Sequence, residues 1–306
     1  MTKTRQLAFV TITVLLAGTE ITGQESASDL NQQGVVAKSQ LENVKATKPK
    51  IQDREVLDAL SANDALEIGG MLSNMVETKS LPQSALPRLI ELLRDDRAAM
   101  KFEILVPVPA PTVGELAADV LTQYGTDAIP VLEPKLKSDN ENELLLVFQI
   151  VSGIGPKANR LEKTLVEFAN SSNSDVVKCA AISTVAAVST NSLETSIKLV
   201  KWLDDKSAAV RGIAIHEIGN LRNSNEDVVK RVAMLLNDEE VRPFASAPDV
   251  RGVRAVKWDA VCALGKIAGG NDAVYKRLLD IQGKSKLKFE KRIINKALET
   301  MATNAK

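Results

Sequence analysis

Between Val113 and Gly125 the chain reads Val-Gly-Glu-Leu-Ala-Ala-Asp-Val-Leu-Thr-Gln-Tyr-Gly, with apolar residues at Val113, Leu116, Ala117, Val120, Leu121 and Tyr124. Spacings of three and four wind these into one stripe along a helix and leave Glu115, Asp119 and Gln123 on the opposite face. The pattern returns four more times. Anchored on the first residue of the stripe, the copies start at Val113, Glu143, Val177, Val210 and Val256, which lie 30, 34, 33 and 46 residues apart. Four residues past each anchor stand Ala117, Val147, Ala181, Ala214 and Ala260. Eight past stand Leu121, Val151, Val185, Ile218 and Leu264, and eleven past stand Tyr124, Ile154, Val188, Leu221 and Ile267. Agreement at four spacings marks a tandem repeat, and small residues in the second column let neighbouring helices approach closely.

Each repeated helix, B, follows a shorter helical stretch, A: Ser84–Arg94, Asp127–Lys137, Ala158–Ala169, Ser192–Leu203 and Glu226–Leu236. Pro87 and Pro130 fall near the first turns of A helices, where a missing N–H costs little. Asp139, Asp175, Asp205 and Asp249 lie between A and B and are expected to cap the B helices. Glu55–Leu60 with Ala65–Val76, and Asp272–Ile281 with Leu287–Met301, extend the series at the two ends. The expected organisation is a solenoid over residues 51–306, with caps at 51–80 and 271–306.

Two B helices carry a recognisable motif. Val210-Arg211-Gly212-Ile213-Ala214 running on to Ile218-Gly219, and Val256-Lys257 running on to Ala260, Ala263-Leu264-Gly265 and Ile267, follow roughly Val-Arg-x-x-Ala-Ala-x-Ala-Leu-Gly-x-Ile-Gly. Over about residues 84–302 the chain resembles the HEAT-repeat family, in particular the short units of phycobilisome-lyase-like proteins. The resemblance implies an all-α fold, a right-handed α-solenoid of HEAT-like two-helix repeats, and is nearly silent on activity. Glu143-Leu144 departs from the motif, so the second B helix is expected to begin differently. The tetratricopeptide alternative lacks its Trp, Gly and Tyr signature at helical positions.

The remaining sequence adds a location and removes most chemistries. Lys3 and Arg5 precede an apolar run, Leu7 to Ala17, that is shorter than the roughly 20 residues of a membrane span. Residues 1–23 therefore read as a secretory signal with cleavage after Gly23, and Thr19 stands where a lipoprotein would need Cys. Residues 24–50 read as a disordered polar linker. The expected location is periplasmic or extracellular, with no integral membrane segment after cleavage.

Formal charge sums to zero, but from Arg251 onward 13 Lys/Arg face 5 Asp/Glu, a balance of +8 that leaves −8 on residues 1–250. A basic end of this kind attracts acidic partners or an anionic envelope surface. A solvated face on a charged end cap is the plainer reading. Cys179 and Cys262 sit in B helices two units apart, too far for a disulfide, and are expected to be small buried side chains.

Di-iron hydroxylases with similar repeats place several His-Glu pairs on one wall. This chain has one histidine, His216, followed by Glu217 and one turn out of register, so no metal or other cofactor is expected. His216 falls off the stripe and should be exposed. Glu217 falls on it and needs partial exposure or a partner in a neighbouring repeat. There is no Gly-rich phosphate loop, no metal-spaced Cys pair and no Gly-x-Ser-x-Gly. Nucleic-acid binding would need interleaved aromatics, which make up only 3% of the chain.

Two insertions lengthen equivalent A-to-B turns: Asp96 to Thr112 in the first unit and Asp238 to Val253 in the fifth. Insertions at equivalent turns emerge on one edge of a solenoid. The leading expectation is a non-catalytic scaffold binding a protein or peptide through the B-helix wall and that edge, with Phe102, Ile104, Arg242, Phe244, Arg251 and Arg254 as contacts. The alternatives are a lyase- or hydrolase-type enzyme with a pocket in the concave wall near Glu217 or Asp259, and an envelope accessory protein.

Overall fold

A computed structural model describes residues 52–100, 110–243 and 253–305. The signal, the whole linker, Phe102, Ile104, Phe244, Asp249 and Arg251 lie outside the described residues.

Helices alternate as A and B along the chain. The A helices are α1 (Asp53–Leu60), α3 (Leu86–Leu92), α5 (Ile129–Leu132), α7 (Glu162–Ser171), α9 (Ser192–Val200), α11 (Glu226–Met234) and α13 (Asp272–Lys284). The B helices are α2 (Ala65–Thr78), α4 (Val113–Tyr124), α6 (Glu141–Ile154), α8 (Asp175–Ala187), α10 (Ala208–Leu221), α12 (Val256–Ile267) and α14 (Lys288–Asn304). Each B helix packs on the next from α2 to α14, forming one continuous layer, and the A helices cover it. The result is an all-α solenoid of HEAT-like hairpins.

The anchor columns explain the stack. Val113, Glu143, Val210 and Val256 are fully enclosed and Val177 nearly so; every residue of the other three columns is buried except Leu221, which is half-buried. The columns also run through the end hairpins. Ile68, Leu72 and Met75, and Ile294, Leu298 and Met301, occupy the later three positions behind Asp64 and Glu290. Helix spacing is set by small residues nine past the anchor. A Cβ on Gly219 would come 3.0 Å from Ala263 Cα, and one on Gly265 would come 2.8 Å from Ala297 Cα. No larger residue fits there without separating the helices.

The A helices are short and partly 3₁₀, as in Gly125–Ala128, Glu133–Lys137 and Gly155–Leu161. Pro130, Pro134 and Pro156 remove backbone donors there. Gly125 and Gly155 reverse the chain directly from B into A at φ of 60° and 70°, a region that favours glycine.

The expected acidic caps are not the caps used. Asn140 and Ser174 accept from the third backbone N–H of α6 and α8, and Thr112 does so for α4. Asp139 is a fully exposed residue 3.8 Å from Arg94, Asp175 lies inside α8, and Asp205 accepts from Ser207 N in the turn before α10. A cap must place its oxygen at the residue just before the helix, and Asn, Ser or Thr holds that place in these three repeats.

Candidate functional site

Because the B helices lie side by side, their N-terminal ends share one edge, and both insertions are rooted there by antiparallel pairing. In the first, Ala98 bridges Thr112, Ala99 N donates to Pro111 O (2.9 Å) and Gly114 N to Asp95 O (2.9 Å). Arg97 closes the base, pairing with Asp95 at 2.6 Å and donating to Asn63 O. Its hydrogen bonds hold the Asp95 carboxyl below its ordinary pKa. Thr112 then opens α4 in a capping box, accepting from Glu115 N while its own N–H donates to Glu115 Oε2.

In the fifth unit β1 (Val241–Pro243) pairs with β2 (Val253–Ala255), which places Arg242 opposite Arg254. The pattern along the chain predicts only a lengthened turn here, and the short strands are an addition to it. Val256 N donates to Glu240 O and Lys257 N to Asp238 O, so the ribbon runs directly into α12. Arg211 of the preceding unit clamps its base. Its side chain is 11% exposed and donates to Asp238 (2.7 Å), Glu240 (2.7 Å) and Asp205 O (2.8 Å).

Of the six expected contacts, the structure thus brings Arg242 and Arg254 together. The same edge also exposes large apolar side chains: Val176 at the start of α8 (50%), Val241 in β1 (56%), and Leu287 (51%) and Phe289 (49%) at the start of α14. Val176, Leu287 and Phe289 are not among the contacts that the sequence pattern predicts. Their signal was an apolar residue at a helix start outside the stripe.

Neighbouring repeats are fastened along this edge. Lys178 pairs with Asp205 at 3.1 Å, and Arg211 with Asp238. In the second unit the polarity reverses. The Glu143 side chain is enclosed and accepts from Arg94 Nε (2.8 Å), Lys135 Nζ (2.8 Å) and Ser138 Oγ. Burial pushes its carboxyl up, but the bonds from Lys135, Ser138 and Arg94 together outweigh that and hold it below its ordinary value. The acid that seemed a break in the motif is a cross-repeat clamp, and α6 begins two residues before it, as α8 and α10 begin before their anchors.

The B wall carries a polar track. Ser152 Oγ donates to Thr184 Oγ1 (2.9 Å), Ser183 Oγ to Glu217 Oε1 (2.9 Å) and Lys266 Nζ to Asn220 Oδ1 (2.8 Å), each across a helix–helix boundary. Glu217 is half-buried and bonded to the neighbouring repeat, and His216 is exposed, as expected. Asp119 is exposed on the same wall, yet desolvation by the crowded surroundings and then the Glu115 charge raise its pKa. Asp259 is buried. Cys179 and Cys262 form no disulfide, but they are half-buried rather than buried, standing two and six residues past their anchors and so outside the buried columns.

A hollow of about 320 Å³ lined by Leu66, Gly69, Gly70, Ser73, Ala99 and Met100 opens at the N-terminal end, far along the stack from Glu217 and Asp259. Among the described residues no group of three or more His, Cys, Asp or Glu is placed to hold a metal ion, and no helix is long and apolar enough to cross a membrane.

These features define a HEAT-like α-solenoid with an elaborated edge. No family model and no curated protein matches the chain. Among solved structures it is similar to the complex of CpcE and CpcF of phycocyanin lyase from Nostoc sp. PCC7120, at 14% identity over 83% of this chain and 96% of that one, TM-score 0.39. An engineered protein aligns at 19% identity over 82% of this chain and 69% of that one, TM-score 0.42. A computationally designed armadillo repeat protein for modular peptide recognition aligns at 17% identity over 81% and 94%, TM-score 0.29. Likeness of this degree carries no functional argument, and the solenoid rests on the helix packing described above.

Proposed function

We propose that the protein is an exported, non-catalytic scaffold that binds a protein or peptide along the A-to-B edge and the adjoining B wall. One observation carries this reading: two separate insertions are rooted by hydrogen-bonded pairing on the edge that also exposes Val176, Val241, Leu287 and Phe289. Leu193, Ile197, Met234, Tyr275 and Leu279 are exposed on A helices as well, but the four on this edge stand beside the two rooted insertions, an arrangement that suits recognition of another macromolecule. Phe102, Ile104, Arg242, Phe244, Arg251 and Arg254 are the contacts supplied by the two insertions. The basic start, the apolar run Leu7 to Ala17 and the polar linker support export.

Affinity recovery from the exported fraction of source cells tests the reading. Wild type should retain a partner, and the Phe102→Ala/Phe244→Ala variant should lose it with unchanged melting. Equal recovery by both overturns the assignment. A second role is favoured by the exposed lysines of α14, namely contact between the basic end and an anionic envelope surface.

A further inference from the structure

Among the described residues, α14 packs on α12 and α13, and no further helix covers its outer flank. A flank that no helix covers needs polar residues for solubility, and exposed Lys288, Lys291, Arg292 and Lys296 supply them. That requirement does not account for Leu287 and Phe289, half-exposed at the turn joining α13 to α14. Lys284, Lys286, Lys288 and Lys291 stand around them in sequence, all exposed.

The acids nearby are already engaged: Asp280 pairs with Lys284 at 2.6 Å, and Glu290 is half-buried and accepts from Ser285 Oγ. Among the described residues, no carboxylate lies within ion-pair distance of Lys286, Lys288, Lys291 or Arg292. Two exposed apolar side chains flanked in sequence by Lys286, Lys288 and Lys291 match an anionic bilayer. The apolar pair can enter the boundary between headgroups and acyl chains while the cations meet the phosphates. A lipid surface also needs no shaped groove on the protein.

We propose that the Lys284–Phe289 turn docks the C-terminal end of the solenoid onto a bilayer rich in anionic lipid. The proposal rests on, and deepens, the reading of the basic end as a site for an anionic surface. Sedimentation of the full chain with phosphatidylcholine vesicles, with and without an equal share of phosphatidylglycerol, tests it. Binding should be stronger to the anionic vesicles and should fall at high salt. Lys286→Gln/Lys288→Gln/Lys291→Gln should weaken that binding roughly 100-fold, at about five-fold per lysine. Leu287→Ser/Phe289→Ser should weaken it roughly ten-fold.

Affinity that ignores lipid charge, or that neither variant changes, overturns the proposal. A Phe289→Trp reporter separates this proposal from the broader reading, because Trp202 and Trp258 are buried. Quenching of the reporter by brominated lipid is the expected result. Charge-dependent binding with an unquenched reporter overturns insertion of the turn and leaves the anionic-surface reading standing.

Discussion

The plain A-to-B turns of the second, third and fourth units differ instructively from the lengthened turns of the first and fifth. Behind the plain turns, α6, α8 and α10 begin two residues before the anchor; behind the insertions, α4 and α12 begin at the anchor itself. Antiparallel pairing replaces the missing half-turn, through Ala98 and Thr112 in one case and β1 with β2 in the other. The anchor stays enclosed in both kinds of unit. Burial between neighbouring B helices fixes where the helix must be, whereas its first turn is free to be rebuilt. The fold can therefore vary its edge without disturbing its stack, and that edge is where binding is proposed.

The largest expected effect is at the clamp beneath the second insertion. Arg211→Ala leaves Asp238 and the carbonyls of Asp205 and Lys206 facing a gap and should cost about 3 kcal/mol in urea denaturation. The corresponding plain-turn change, Lys178→Ala, should cost about 1 kcal/mol, because it removes one ion pair. Equal losses would erase the distinction between the two turn types.

Next comes Glu143→Gln, at about 2 kcal/mol near neutral pH. The folded-state pKa of Glu143 lies below its ordinary 4.5, so its contribution is complete above that value and disappears as pH falls through the lower folded-state value. Wild type and variant should converge in acid, as followed by denaturation at stepped pH. A gap that stays constant would remove the clamp from the account.

These clamps also mark what the sequence could and could not reveal. The anchor columns were legible because one helical period recurs at fixed offsets, and Val210 with Val256 carry the motif outright. Glu143 was opaque because its partner Arg94 stands 49 residues earlier in the chain. The end hairpins went unregistered because Asp64 and Glu290 hold the anchor positions there. Acidity does not mark the caps, because the capping oxygen must stand at the residue just before the helix, where Thr112, Asn140 and Ser174 lie. The strand roots were hidden because three-residue pairings have too little alternation to be read as strands. Of the expected contacts, Arg242 and Arg254 are paired in backbone register across a ribbon, while the apolar Val176 and Phe289 fall outside any repeating column.

Two smaller changes test whether stacking is equally tight behind both turn types. Gly→Ala normally favours a helix. Here Gly265→Ala and Gly219→Ala should each cost about 1 to 2 kcal/mol, because the new Cβ strikes Ala297 or Ala263. A gain at either position would show that the helices can separate freely. The smallest difference concerns caps: Thr112→Ala and Ser174→Ala should each lower stability by about 1 kcal/mol. Asp139→Ala should leave the melting temperature unchanged, since Asp139 caps nothing and its pairing distance to Arg94 is 3.8 Å.

Residue-resolved hydrogen exchange of the wild-type protein is the most direct test of a stack fixed by buried anchors beneath a variable edge. Amides after the anchors in α10 and α12 should exchange equally slowly, near the limit of global unfolding, while those at Leu287 to Phe289 exchange fast. Exchange in α12 orders of magnitude faster than in α10 would show that the insertion breaks the stack, and would contradict the account.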